Sequence, residues 1–251
     1  MIGMAASQAT RHRRVPPVIV AAIVTAWAVA IAAELTGASH LVHHDRLIEG
    51  DVPFLAGVSI FVLAWQLMIV AMMLPSSLPL VRMFRVVSAR QTHPGRATAA
   101  LIAGNAVVWT GFGLAAFFLD AGVHRMVDTT PWLGRHPEVL AASVLVLAGA
   151  FQFSDLKDRC LRECRHPGPF LISRYDRGAG AAMRLGLAHG VFCLGCCWAL
   201  MLVGFAAGVA NLWWMAALTA VMIYEKTGRH GEQVVTPVGI ALISAGLLAL
   251  L

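Results

Sequence analysis

The sequence predicts an all-α polytopic membrane helix bundle, and three observations predict it. Of the 251 residues, 59% are hydrophobic and 13% charged, where a soluble domain carries about a quarter charged residues. Several windows hold about 18 or more mostly apolar residues, the length that crosses a bilayer as a helix. The basic residues fall between those windows rather than inside them. No polar stretch exceeds about thirty residues, too few for an independent core, so the chain reads as one integral membrane domain over residues 1–251.

About seven spans are expected, at about 17–36, 53–74, 97–119, 138–153, 185–207, 210–224 and 234–251. A short basic arm with Arg11, Arg13 and Arg14 precedes the first. A polar loop follows that span instead of a small-residue cleavage site, which favours a retained signal anchor. The next loop carries His40, His43 and His44 with Asp45, Glu49 and Asp51. Span two is expected to end in the breaker Pro75-Ser-Ser-Leu-Pro79. An arginine-only loop leads to span three, and a nearly balanced one to span four. The longest polar stretch, 154–184, holds seven basic and four acidic residues and the first two cysteines. It reads as a loop on the cytoplasmic side. Spans four and six are short for a bilayer about 30 Å thick.

Orientation follows from counting. With the N-terminus inside, sixteen of the nineteen Lys and Arg face the cytoplasm, and only Arg46, Arg125 and Arg135 lie outside. That bias predicts an N-inside, C-outside protein of the inner (cytoplasmic) membrane, crossing it several times. The net charge of +6 is then an orientation signal and a contact with lipid headgroups, so the bilayer is the partner and nucleic acid is not.

The chemistry concentrates in His189–Trp198, HGVFCLGCCW, within span five. At about 3.6 residues per turn, His189, Cys193, Cys196 and Cys197 fall at about 0°, 40°, −20° and 80° around the helix. They form one stripe of i, i+3 and i+4 neighbours. Gly204, Ala207 and Gly208 continue that face with small residues that let another helix approach, so the stripe is expected to face protein. Cys160 and Cys164 share a face if DLKDRCLREC is helical, and a folded-back loop would bring them to the stripe. Soft thiolates with an imidazole suit Cu(I) or Zn(II), and a reducing cytoplasm disfavours structural disulfides. Met68, Met72 and Met73 would add soft ligands if span two adjoins span five, although packing is the commoner use of methionine.

Elsewhere plainer readings prevail. His40, His43 and His44 read as a solvated loop, Asn105 as an interhelical hydrogen-bonding group, and Trp213 and Trp214 as an interfacial belt. Glu225 is expected to pair with Lys226 or a loop arginine. The chain lacks C-x2-C-H for attached haem and G-x4-G-K-[ST] for nucleotide, and no hydrolytic set has persuasive spacing, so no enzyme is expected. Two alternatives to soft-metal handling stay open. One is a membrane thiol-disulfide oxidoreductase using Cys193 and Cys196, with Cys160 and Cys164 as shuttle. The other is a non-catalytic membrane assembly partner.

The stretches AWQLMIVAMMLPSSLPL, FQFSDLKDRCLRECRHP and RLGLAHGVFCLGCCWALMLVGFAAGVANLWWMAALTAVMIYEK resemble an uncharacterised bacterial family. It is domain of unknown function 2182, described as predicted metal-binding integral membrane proteins. The resemblance runs from about Trp65 to Glu225. It implies a multi-spanning protein with His189, Cys193, Cys196 and Cys197 as metal ligands and Cys160 and Cys164 as associates. A metal donor or a neighbouring membrane protein would be its partner.

Overall fold

The computed structural model describes residues 15–38, 53–206 and 211–251, and it is helical throughout with no strand among them. Proline sets most helix starts, as its fixed φ allows in the first turn. The elements are α1 (Pro17–Leu35), α2 (Phe54–Met68), a π-helical turn (Ile69–Met73), α3 (Leu74–Ser88), α4 (Pro94–Thr129), the one-turn α5 (Pro131–Gly134) and α6 (Pro137–Phe151). They continue with α7 (Asp155–Arg165), α8 (Pro167–Arg174), α9 (Ala179–Ala206), α10 (Leu212–Thr227) and α11 (Gly231–Leu248). The basic arm, the His40/His43/His44 loop, Ala207 and Gly208 lie outside the described residues.

Each expected span contains a helix, but their lengths differ from expectation. Among the described residues, five stretches are long and apolar enough to cross a membrane, or six if the bent pair α6 and α7 counts as one span. The shortfall from seven comes from α10, with 16 residues, and α6, with 15, against the roughly 20 that a bilayer requires.

The proline breaker does not end span two. The helix runs from Phe54 to Ser88 through the π turn, because other groups take up the backbone that proline disrupts. The indole Nε1 of Trp27 donates to the carbonyl of Ala71 at 3.1 Å, four residues before Pro75. The hydroxyls of Ser76 and Ser77 donate to the carbonyl of Met73 at 2.9 and 3.1 Å. Inside α2, Trp65 Nε1 donates to the carbonyl of Trp109 at 2.8 Å, and Gln66 bonds Thr110, which ties this helix to α4.

Helices α4 and α9 form the central crossing. A Cβ on Gly104 would meet the backbone of Met183 and Leu187, and one on Gly186 the backbone of Leu101. Gly186 and Gly190 make a G-x3-G pair on α9, the small-residue spacing that lets helices touch in a membrane. Gly186→Leu is expected to lose about 1–3 kcal/mol by overpacking this crossing, read as a lower thermal midpoint in detergent; an unchanged midpoint would place the crossing elsewhere.

The segment 154–184 is no loop. After the break at residues 152–154 the chain bends by 65°, and Ser154 caps α7 by accepting from the Lys157 N–H at 3.2 Å. Asp155 and Asp158 in the first turn and Arg162 and Arg165 in the last match the helix dipole. Lys157, Cys160, Leu161 and Cys164 are buried, and their i, i+3, i+4, i+7 spacing is one helical stripe. That stripe lies against α9.

Candidate metal site

Four structural devices bring the sulfurs together. On α9 the helical spacing stacks Cys193, Cys196 and Cys197, which are 0%, 1% and 1% exposed. The thiols of Cys196 and Cys197 reach the carbonyl of Cys193 at 3.1 and 2.8 Å, so both are drawn onto one side of the helix. Glycine supplies the second device. A Cβ at Gly195 would strike the Cys160 sulfur, so only glycine there lets α7 lie this close to α9. Third, that approach sets Cys164 Sγ 3.9 Å from Cys196 Sγ. Fourth, the π turn, which adds a residue to the helical circuit, places Met73 Sδ 4.0 Å from Cys197 Sγ. Cys196 and Cys197 are themselves 3.9 Å apart. The result is a buried chain of sulfurs, Cys164–Cys196–Cys197–Met73, with all five cysteines reduced.

The sequence-derived candidates thus separate. Cys164, Cys196 and Cys197 share sulfur contacts, and Cys193 joins them through Cys197 and Lys226. Cys160 is buried at 6% exposure and packs on Gly195. His189 is buried one turn before the thiols, but its contacts lead elsewhere: Nε2 lies 3.3 Å from Ser77 Oγ, and its ring packs edge-on against Phe170 with centroids 5.8 Å apart. Because the Ser77 hydroxyl proton goes to the Met73 carbonyl, Nε2 is the donor in that hydrogen bond and Nδ1 is the nitrogen left with a free lone pair. Met68 and Met72 are core residues at 2% and 1% exposure. Among the described residues no three His, Cys, Asp or Glu side chains stand ready-made around one point; the sulfurs gather pairwise.

Two cations that sequence reasoning placed at the lipid surface or in a simple pair lie inside, and a third is partly buried. Lys157, 0% exposed, meets Glu225, 1% exposed, at 2.7 Å. The expected pairing of Glu225 with Lys226 does not form, because adjacent residues on a helix point about 100° apart. Glu225 faces α7, whereas Lys226 faces α9. There Lys226 Nζ donates to Cys193 Sγ at 3.1 Å, to Cys197 Sγ at 3.5 Å and to Ser76 Oγ at 3.2 Å. The third, Arg165, donates to the carbonyls of Glu225 and Gly228 and pairs with Glu232 at 3.2 Å, which fastens α7 to the corner between α10 and α11. Asn105 Oδ1, expected to bond across helices, has no hydrogen-bond partner, although its helix crosses α9 closely.

The family model PpoB2, described as copper chaperone, matches residues 62–249. That span covers all the elements from the end of α2 through α11 and every residue of the sulfur chain. It is a metal-related family, as the resemblance implied, under a different name, and it supports a part in copper handling while giving none for zinc. None of the curated proteins and none of the solved structures matches the chain.

Proposed function

We propose that this chain, which belongs to the PpoB2 family of copper chaperones, takes Cu(I) as cargo on buried cysteine sulfurs within the membrane. The observation that carries the proposal is Cys196, whose sulfur lies 3.9 Å from both Cys164 and Cys197. A metal–thiolate bond of about 2.3 Å puts two sulfurs about 4.0 Å apart around a trigonal ion and about 4.6 Å apart across a linear one. Sulfurs at 3.9 Å therefore need to move little to hold an ion. Thiolate and thioether donors select Cu(I), which accepts two or three ligands, whereas structural zinc takes four. Cys164, Cys193, Cys196 and Cys197 supply the thiolate ligands on this reading, two to the ion, with Met73 as a thioether beside them. His189 and Cys160 flank the site.

Loading from the cytoplasmic side is consistent with the orientation that the arginine and lysine count implies, since α7 carries Cys164 from the basic segment to the sulfurs. The oxidoreductase alternative is less favoured, because the sulfurs that hydrogen-bond Cys196 belong to Cys164 and Cys197 and Cys193 bonds Lys226 instead. The test is elemental analysis after anaerobic purification in detergent and exposure to Cu(I). Near-stoichiometric copper is expected in the wild type and almost none in the Cys193/Cys196/Cys197→Ser triple variant. Equal copper in both proteins would sink the reading.

A further inference from the structure

The charges around the sulfurs do not balance without them. Lys157 is matched by Glu225 at 2.7 Å, and Arg165 by Glu232 at 3.2 Å. Lys226 is 5% exposed and its three hydrogen-bond partners are two sulfurs and a hydroxyl. A buried ammonium with no anion beside it is costly, and the atoms able to carry the opposite charge here are Cys193 Sγ and Cys197 Sγ. The Ser76 hydroxyl holds the ammonium in place. Its own proton is directed at the Met73 carbonyl, so its oxygen faces the ammonium as acceptor.

Resting on the copper reading above, we infer that Lys226 is the specificity-determining residue of the site: held between Cys193, Cys197 and Ser76, its ammonium balances two thiolates bearing a monovalent ion. Two coordinated thiolates and Cu(I) carry one net negative charge, which the single ammonium cancels. A divalent ion on the same two thiolates leaves the ammonium uncompensated in a buried place. Neutrality with Zn(II) beside the same ammonium would need a third thiolate on the ion, one more than Cu(I) requires. Lys226 thus discriminates by charge while the sulfurs discriminate by softness. The same balance extends to other soft monovalent ions, so Ag(I) is a usable probe.

The experiment compares full-length wild type, Lys226→Gln and Lys226→Arg in detergent, anaerobically. The Cu(I), Ag(I) and Zn(II) affinities are each measured against a competing chelator of known strength. The ratio of Cu(I) to Zn(II) affinity is expected to fall at least about tenfold in Lys226→Gln, as removal of one buried charge a few ångström from the ion requires. It is expected to stay near the wild-type value in Lys226→Arg, and Ag(I) to follow Cu(I). A ratio unchanged in Lys226→Gln overturns the inference and leaves the copper reading intact. Wild-type protein that retains no Cu(I) overturns the copper reading and this inference with it. If Lys226→Gln does not survive size-exclusion chromatography, Lys226→Met is read in its place, since it keeps most of the length of the lysine side chain without its charge.

Discussion

Cys196→Ser is expected to remove Cu(I) retention almost entirely, with a loss larger than the about 10–100-fold that follows removal of an outer partner of a metal ligand. Cys196 is the thiol that joins the Cys164 sulfur on α7 to the Cys197 sulfur on its own helix. Without it, Cys164 loses its contact with the sulfurs of α9. Cys160→Ser is the matched control. Its thiol is buried and packs on Gly195, so serine there should lower stability slightly and leave the copper stoichiometry unchanged. Chelator competition on the two single variants checks both statements. Equal losses in the two would show that α7 contributes Cys160 as fully as Cys164, and a Cys196→Ser protein that keeps wild-type affinity would remove Cys196 from the site.

Much of this arrangement was legible in the sequence because its signals are local. The 3.6-residue period puts Cys193, Cys196 and Cys197 on one face whatever surrounds them, and the apolar windows declare membrane helices regardless of contacts. The i, i+4 spacing of Cys160 and Cys164 likewise fixed their common face. Which of the two would touch the stripe was not legible, because it depends on the 65° bend after α6 and on where Gly195 admits α7. Met73 was visible as one of three methionines, but only the π turn singles it out, and that turn depends on Trp27 and the Ser76 and Ser77 hydroxyls, which come from separate parts of the chain. The interior cations were missed for a related reason. Counting Lys157 and Lys226 as orientation charges treats every lysine between spans as solvated, and only tertiary packing shows that these two are buried. Their sole sequence signal was weak: a Glu-Lys pair at the end of a short apolar helix, with Lys157 three residues before a cysteine.

The buried pair of Lys157 and Glu225 carries the second large prediction. Glu225→Ala strands Lys157 at 0% exposure and removes an anion from a region that also contains Lys226. Leaving one partner of a buried pair uncompensated costs about 3–5 kcal/mol, so a marked fall in the thermal midpoint in detergent is expected. The double variant Lys157→Met/Glu225→Leu should regain most of that loss, because two apolar side chains of similar volume leave no stranded charge. Copper retention separates two roles for the pair. Lys157 and Glu225 join α7 to α10, and α7 presents Cys164 to Cys196 at 3.9 Å. If the pair serves only to dock α7, copper affinity should fall in Glu225→Ala and return in the double variant along with stability. A double variant that regains stability but not copper would mean that the carboxylate itself contributes to the site, where Glu225 Oε1 is buried with no hydrogen-bond partner.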